Sequence, residues 1–375
     1  MATHKDIARE VGVSQATVSK VLNNRANSIG ISAKTRQAVI EAAKRLGYNR
    51  DKVASSFVAL VDKTIVVLME HVSNPYAGVI MRGIEQELSL TDFQYLFASS
   101  NGDADRSMHT IESLTRRYPS GFILMPFYET DTSSLVHSYL AERSIPFVQT
   151  GYHNLPGLLD APLVTSNNRV MFRELTQHLI MLGHKRIAFV YTSPNYSSMA
   201  ERRAGFEEAM KEAGLKIRKA DLIELPRSEY FSVERKQSLL DRWMGSKSRP
   251  TAIMTVKDDC AMQFIRLIES VGLSVPGDMA VTGCDDYYHF IPKYYPEVYF
   301  RLTTIRQNLP EIGGTAVREL IRLIDHPEDV GKGPMTLDVP AKLVIRGSCG
   351  SREHTEPFSD GSLHLKGLGV GHMTH

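Results

Sequence analysis

The stretch that decides the fold runs from Lys5 to Asn24 and reads KDIAREVGVSQATVSKVLNN. Its apolar residues recur at helical spacing on both sides of Gly12, which interrupts the pattern. Ser14 follows this break. A serine at this point caps a second helix, because its hydroxyl accepts a hydrogen bond from a free backbone N–H of the next turn. Two short helices joined by a tight turn that contains glycine predict a helix-turn-helix.

The two sides of the second helix differ in chemistry. The packed side of the motif needs apolar residues from both helices, namely Ile7, Ala8, Val11, Val18 and Leu22. The opposite side is left to residues that reach base edges or phosphates in a major groove, namely Gln15, Ala16, Ser19 and Lys20. Apolar spacing alone also fits an ordinary helical hairpin on a protein surface.

A wider set of spaced residues distinguishes the two interpretations. The runs concerned are Asp6-Ile7-Ala8, Gly12-Val13-Ser14, Thr17-Val18-Ser19-Lys20-Val21-Leu22-Asn23, Thr35-Arg36, Val39, Ala42-Ala43 and Leu46-Gly47-Tyr48. Together they resemble the three-helix DNA-binding head of the lac-repressor/galactose-repressor family of bacterial transcriptional regulators. The resemblance implies base-reading positions at Gln15, Ala16 and Lys20. Thr17, Ser19 and Arg36 are predicted to supply phosphate or positioning contacts.

Charge is distributed unevenly along the 375 residues. Residues 1–50 carry nine Lys or Arg against three Asp or Glu, a net charge of +6, whereas the rest of the chain carries −4. A basic head on a mildly acidic body favours local attachment to phosphates with the body held away. The length predicts two to three domains.

The cysteine spacing and the hydropathy pattern exclude several classes of protein. The three cysteines are far apart and form no CxxC pair, so the sequence signals neither a zinc site nor a redox dithiol, and we expect no metal and no other cofactor. Cys260 and Cys284 are predicted to be buried thiols. No apolar run approaches membrane-spanning length and no signal sequence opens the chain, which predicts a cytoplasmic protein without a membrane partner.

The predicted head covers residues 1–48, and residues 49–63 correspond to the family's hinge. In the family, a proline and an asparagine open a short hinge helix whose leucine enters the minor groove. Here Arg50 and Asp51 replace that pair, and Phe57 stands at the leucine position. Phe57 can act as an unstacking wedge in the minor groove. Alternatively, the segment is a plain linker with Phe57 buried against the body.

From Thr64 onward, short apolar runs alternate with amphipathic stretches. The apolar runs predict buried strands at 65–69, 93–98, 121–125, 145–148, 187–190, 252–255 and 279–282. The amphipathic stretches predict helices near 76–90, 105–118, 132–143, 169–182, 200–213, 233–244 and 259–271. This alternation predicts an α/β fold in which parallel sheets are covered by helices on both faces. The segment is long for one such sheet, so we expect two, with a cleft between them.

Signatures in the body agree with the same family. They are Asn74-Pro75-Tyr76, Leu179–Ile187, Arg202–Met210, Gly283-Cys284-Asp285-Asp286 and Leu302-Thr303-Thr304-Ile305. The resemblance implies an effector-binding domain over 64–349 with two lobes, like those of periplasmic sugar-binding proteins. The implied first lobe takes about 64–165 and 303–325, and the second takes about 166–302 and 326–349. Residues 350–375 fit nothing in this pattern and are predicted to be a disordered tail.

The candidate ligand site follows from the sheet architecture, since ligands bind beyond the carboxyl ends of parallel strands. Candidate residues at those ends are Tyr76, Tyr196, Ser198, Lys257, Asp258 and Asp285. The resemblance implies effector contacts from Tyr76, Arg202 and Asp285, and an aromatic wall from Phe231. Two alternatives stay open, because Arg202 also fits a solvated helix residue and Asp285 also fits a helix cap.

Two departures from the family pattern bear on the charge of the effector. Lys257 stands where many relatives carry asparagine, and Gln149 stands where an aspartate is common. A lysine in the cleft beside Arg202 favours an anionic effector, such as a phosphorylated or acidic sugar. Alternatively, Lys257 pairs with a neighbouring aspartate and neutralises the acidic edge of the cleft.

Taken together, these patterns predict a ligand-responsive transcriptional regulator, a repressor, that binds a roughly palindromic operator as a homodimer. We assign no catalytic residue, since the chain lacks the usual hydrolase, metalloprotease and nucleotide-binding motifs. The paired carboxylates at 258–259 and 285–286 are expected to point in different directions, which argues against a catalytic pair. The alternatives are a solute-binding protein without a DNA role, which needs export, and an enzyme that uses the cleft carboxylates.

Overall fold

The computed structural model describes residues 4–22, 31–46, 63–100, 103–125, 130–152, 162–192, 197–230, 232–246, 248–290, 301–332 and 336–352. The chain divides into two compact units, a helical head and an α/β body. The predictions for Phe57, Tyr196 and Phe231 lie outside the described residues, as do most of the predicted hinge and tail.

The described part of the head contains three helices, namely α1 (His4–Val11), α2 (Gln15–Leu22) and α3 (Ala33–Arg45). Their shared core consists of Ile7, Ala8, Val18, Val21, Val39, Ala42 and Ala43, with Val11 and Leu22 partly buried against it. The predicted packed side of the helix-turn-helix is therefore confirmed.

Local hydrogen bonds set the starts of the second and third helices. The Thr17 backbone N–H donates to Ser14 Oγ at 3.1 Å, and the Thr35 backbone N–H donates to Ser32 Oγ at 3.1 Å. Both serines satisfy donors that a helix start leaves free. Gly12 has a φ of +71°, a conformation that side chains with a Cβ rarely adopt, and this permits the tight turn between α1 and α2.

Twelve described strands build the body. They are β1 (Thr64–Met69), β2 (Gln94–Ser99), β3 (Gly121–Leu124), β4 (Phe147–Thr150), β5 (Leu163–Ser166), β6 (Ile187–Thr192), β7 (Leu222–Leu225), β8 (Ala252–Thr255), β9 (Ala280–Asp285), β10 (Thr303–Arg306), β11 (Thr336–Val339) and β12 (Lys342–Val344). They form two six-stranded sheets, in the orders β11-β5-β4-β3-β1-β2 and β12-β10-β9-β8-β6-β7. Every predicted strand is present. The described pairs are parallel except β10–β12, which is antiparallel.

The body helices cover the faces of these sheets. They are α4 (Pro75–Leu88), α5 (Ala104–Thr115), α6 (Thr130–Ala141), α7 (Asn168–Met181), α8 (Ser197–Glu212), α9 (Arg227–Tyr230), α10 (Val233–Met244), α11 (Asp258–Ser270) and α12 (Leu309–Asp325). The seven predicted helices are all present. In the first lobe, α12 lies so close to α4 that a Cβ at Gly83 would overlap the backbone oxygen of Pro310.

Within the described ranges, the chain passes between the two lobes three times. We call residues 166–168, from the last residue of β5 to the first residue of α7, the first crossover. The second crossover is residues 306–308, from the last residue of β10 to the residue before α12, and the third is residues 339–341, from the last residue of β11 to the residue before β12. Each crossover runs from an element of one lobe directly into an element of the other.

The predicted lobe boundaries near the end of the body are wrong in two places. The resemblance implies the first lobe for residues 303–306, but they form β10 in the second sheet, where they pair with β9 and β12. The resemblance implies the second lobe for residues 336–339, but they form β11 in the first sheet, where they pair with β5. A short apolar run does not reveal which of two similar sheets supplies its hydrogen-bonding neighbour.

Two further expectations concern cysteines and membranes. All three cysteines are buried free thiols, as predicted for Cys260 and Cys284. Within the described ranges, no helix has the length and apolar character that crossing a bilayer requires.

Candidate functional site

The polar side of α2 carries the residues predicted to read DNA bases. Gln15, Ala16 and Lys20 are exposed, whereas Thr17 and Ser19 are half-buried. Val18 and Val21 lie on the other side of the helix, inside the head core. Gln15, Ala16 and Lys20 therefore share the exposed side of the helix, as the residues of a recognition helix that enters a major groove do.

Two of the predicted phosphate or positioning residues, Arg36 and Thr17, differ in exposure and in hydrogen bonding. Arg36 is exposed on α3. Thr17 Oγ1 lies 2.9 Å from Ser14 Oγ, so this hydroxyl takes part in the cap of α2. The contact of each head residue with a base or a phosphate stays a prediction.

A cavity of about 280 Å³ lies in the body, at the carboxyl ends of strands from both sheets. The first lobe contributes Glu70, His71, Asn74, Tyr76 and Tyr152, and the second contributes Ser198, Arg202, Lys257, Asp259, Asp285 and Tyr287. Five residues predicted from the sequence are thus brought together here, namely Tyr76, Ser198, Arg202, Lys257 and Asp285.

Arg202 lies at the floor of this cavity and is only 4% exposed. Its Nε donates to Asn168 Oδ1 at 2.8 Å, and its Nη1 donates to the Val256 carbonyl at 2.6 Å. Its Nη2 lies 3.6 Å from Asp285 Oδ1, which makes a buried ion pair. The alternative interpretation of Arg202 as a solvated helix residue is therefore wrong.

Asp285 is the last residue of β9 and has a φ of +115°, which is unusual for a residue with a Cβ. Gln307 Nε2 donates to its Oδ1 at 2.7 Å. Burial raises the pKa of the Asp285 carboxyl, and the charges of Arg202 and Lys257 act in the opposite direction. The carboxylate thus faces both the cavity and the second crossover.

The aspartate that follows Asp285 turns away from the cavity. Arg346 Nη1 donates to Asp286 Oδ1 at 3.1 Å, and Arg306 Nε donates to Asp286 Oδ2. The Asp286 backbone N–H donates to Asp258 Oδ2 at 2.7 Å. Burial raises the pKa of Asp258 well above its usual range, and the charges of Asp286 and Asp285 add to this effect. Asp258 and Asp286 therefore belong to a buried network beneath the cavity.

Asp259, by contrast, lines the cavity, and its Oδ1 accepts a hydrogen bond from the Tyr287 hydroxyl at 2.8 Å. In both aspartate pairs, one carboxylate faces the cavity and its neighbour faces the buried network. The expected divergence of adjacent carboxylates is confirmed.

Lys257 and Ser198 both border the cavity but differ in burial and in their contacts. Lys257 is half-buried, and its Nζ lies 6.0 Å from the centroid of the Tyr230 ring. Ser198 is only 3% exposed, and among the described residues its Oγ has no hydrogen-bond partner. A buried hydroxyl that borders a cavity and lacks a protein partner can donate to a bound ligand.

Sequence reasoning missed several residues of this site. Glu70 is buried and directly follows β1, so the rule that located Tyr76 also applies to it. Tyr287 reaches the cavity through the turn after β9, which the sequence did not reveal. Asn168 and Gln307 were also missed, because a polar residue beside a helix start is usually taken for a cap.

Comparison with known proteins identifies the family. Residues 3–51 match the family model for bacterial regulatory proteins of the lacI family, and residues 176–349 match the model for the periplasmic binding protein-like domain. The regulator RegA of Clostridium saccharobutylicum is 31% identical over 330 residues, which cover 88% of this chain and 94% of that protein. The chain belongs to the lacI family of bacterial regulatory proteins.

Other lacI-family proteins show the same organisation. The transcriptional repressor PurR of Haemophilus influenzae strain PittEE is 29% identical over 349 residues, which cover 93% of this chain and 98% of that protein. The CelR–cellobiose complex is 25% identical, with a TM-score of 0.63 over 93% of this chain and all of that one. The lac repressor dimer bound to operator and an anti-inducer shares the fold, with a TM-score of 0.63, 22% identity and coverage of 93% and 99%.

These matches confirm the fold class and the function predicted from the sequence. This lacI-family protein is a DNA-binding transcriptional regulator with a helix-turn-helix head and a periplasmic-binding-protein-like effector domain. The relatives named above are transcriptional regulators, which favours this function over the solute-binding and enzyme alternatives.

Proposed function

We propose that this regulator represses transcription by binding a roughly palindromic operator as a homodimer, and that a sugar-like metabolite in the cavity controls its operator affinity. The observation that carries the effector proposal is the buried Arg202–Asp285 pair at the floor of a cavity lined by both lobes. A ligand that contacts both lobes binds one arrangement of the lobes better than another, and so shifts their population.

The chemistry of the cavity favours a neutral, hydroxyl-rich effector. Aromatic side chains lie beside carboxylates, and this combination suits the faces and hydroxyls of a sugar. Arg202 and Lys257 are opposed there by the carboxylates of Glu70, Asp259 and Asp285. The anionic effector that Lys257 suggested therefore receives less support than a neutral sugar. Related solved structures contain cellobiose and ribose, the latter in a regulator from Enterococcus faecium with 27% identity and a TM-score of 0.60.

An exposed edge strand supports the homodimer. Strand β2 lies at the edge of the first sheet, and Tyr95, Leu96 and Phe97 are each about 40% exposed along it. A run of exposed apolar residues on an open edge favours association with another copy of the chain. Two heads related by a two-fold axis need half-sites about one helical turn, ~10 base pairs, or a multiple of it apart.

The residues on the polar face of α2 suggest how each half-site is read. Lys20 is suited to the acceptor atoms of guanine, and Ala16 is suited to a thymine methyl group. Gln15 is the third base-reading residue. Thr17, Ser19 and Arg36 supply phosphate or positioning contacts, which fix the register without reading the sequence.

Selection of bound sequences from random duplex DNA with the full chain tests the DNA part of this proposal. We expect an enriched sequence with two-fold symmetry. Operator affinity is then measured with ribose, cellobiose and ribose 5-phosphate, and we expect a neutral sugar to change it about five-fold or more. Enrichment of no sequence would refute the operator proposal. A response to ribose 5-phosphate alone would refute the neutral effector.

A further inference from the structure

We propose that Asn168 and Gln307 are positioning residues of the effector cavity, each holding one member of the Arg202–Asp285 pair from a different crossover. The cavity floor and the connections between the lobes then form one hydrogen-bonded unit. The inference rests on the proposed function for one point, namely that Arg202 and Asp285 contact the effector. The positioning roles of Asn168 and Gln307 rest on their hydrogen bonds to these two residues.

The first half of the unit ties Arg202 to the first crossover. Asn168 is the first residue of α7 and is only 4% exposed. Its Oδ1 accepts from Arg202 Nε at 2.8 Å, and its Nδ2 donates to the Ser166 carbonyl at 2.8 Å. The amide thus links the guanidinium to the backbone at the point where the chain leaves the first sheet.

The second half ties Asp285 to the second crossover. Gln307 directly follows β10 and is only 2% exposed. Its Nε2 donates at 2.7 Å to Asp285 Oδ1, the same oxygen that lies 3.6 Å from Arg202 Nη2. A continuous chain of contacts therefore runs from Asn168 through Arg202 and Asp285 to Gln307.

The backbone at the centre of this chain is strained. Asp285 and Asp286 have φ angles of +115° and +48°, and such conformations persist only where the surroundings hold them. Arg306, in the second crossover, and Arg346, shortly after the third, both donate to Asp286. Arg306, in the second crossover, and Arg346, which follows β12, therefore hold the turn that presents Asp285 to the cavity.

This arrangement gives an effector a direct route to the crossovers. A ligand hydroxyl that donates to Asp285 Oδ1 competes with Gln307 for that oxygen. A ligand acceptor that draws on Arg202 likewise competes with Asn168. Because buried hydrogen-bonded residues respond as a group, a change at the ligand reaches both crossovers.

Hydrogen exchange on the full chain tests the inference without a ligand. In Gln307→Leu, we expect backbone amides of the first crossover, residues 166–168, to exchange about five-fold faster or more, because the change is passed on through Asp285, Arg202 and Asn168. The matched control is Asn308→Ala, since Asn308 is the next residue, is exposed and makes no side-chain cap. We expect no change at the first crossover in this control.

A second variant, at the other end of the chain of contacts, tests the coupling in the opposite direction. Asn168→Ala is expected to accelerate exchange at the second crossover, residues 306–308, because coupling between two sites is reciprocal. The double variant is expected to differ from the product of the single effects about three-fold or more, as residues in one network do. Faster exchange confined to the crossover that carries each substitution would overturn the proposal and leave both amides as local structural bonds.

The same preparations separate this inference from the proposed function. Each is assayed on the operator duplex obtained by selection. If the wild-type chain shows no sequence preference, the operator proposal fails, while the exchange result still decides the coupling. If the exchange changes stay local while operator binding is sequence-specific, only the positioning role of Asn168 and Gln307 fails.

Discussion

The polar face of α2 and the floor of the effector cavity are built in opposite ways. On α2, the exposed Gln15 and Lys20 project from a helix whose other side is in the core. In the cavity, Arg202 and Asp285 are 4% and 5% exposed, and each also bonds to the structure around it. The head thus separates recognition from stability, whereas the cavity floor combines them in the same side chains.

The largest effect that sharpens this contrast is expected at Asp286, because the ion pairs of this residue hold the turn that presents Asp285 to the cavity floor. In Asp286→Ala, Arg306 and Arg346 lose a buried carboxylate, and removing one partner of such a pair costs about 3–5 kcal/mol. We expect the free energy of unfolding of the body to fall by this amount in urea titrations. Asp325→Ala, at the exposed end of α12, is the control and is expected to change it by at most about 0.5 kcal/mol. A loss near the control value for Asp286→Ala would break the contrast.

The same contrast explains what the sequence could predict of the fold. The helix-turn-helix follows from local features, namely apolar spacing, Gly12 and the caps at Ser14 and Ser32. The alternation of strands and helices in the body is also local. The placement of β10 and β11 is not, because it depends on hydrogen bonds to strands distant in the chain.

Prediction of the site was limited in the same way. Tyr76, Lys257 and Asp285 lie at strand ends, where the sheet rule looks for ligands. No sequence pattern singles out Asn168 and Gln307, because their role depends on hydrogen bonds to residues of other elements. Sequence patterns therefore locate residues that face a ligand more readily than the residues that hold them in place.

An effect of intermediate size is expected at Lys20 in the head. Lys20→Ala is predicted to weaken binding to the selected operator by about 1–3 kcal/mol and to relax the preference at one base pair. The free energy of unfolding should change by at most about 0.5 kcal/mol, because the side chain is exposed. Competition binding with single-base variants of the operator measures the first effect, and urea titration measures the second.

Lys44→Ala provides the matched control for Lys20. Lys44 is exposed in the last turn of α3, and its removal takes the same charge from the head. We expect a smaller loss of affinity that is equal for all operator variants, as for a general charge effect. An equally uniform loss in Lys20→Ala would contradict its role as a base reader and make it a phosphate contact.

No loss of stability is expected at Ser198, a cavity residue whose hydroxyl, like the exposed side chains of α2, serves recognition and not the stability of the fold. Its Oγ is buried and lacks a hydrogen-bond partner among the described residues, so Ser198→Ala should leave the free energy of unfolding unchanged or raise it by about 1 kcal/mol. The response of operator affinity to ribose or cellobiose should nevertheless weaken, since a donor to the ligand is lost.

Ser197→Ala is the control for this variant, because Ser197 precedes Ser198 on α8 and does not line the cavity. We expect it to keep the wild-type response to the sugar. If Ser198→Ala instead lowers the free energy of unfolding by about 1 kcal/mol or more, its hydroxyl stabilises the body as Arg202 and Asp285 do. Recognition and stability would then be combined at the wall of the cavity as well as at its floor, and only the head would keep them apart.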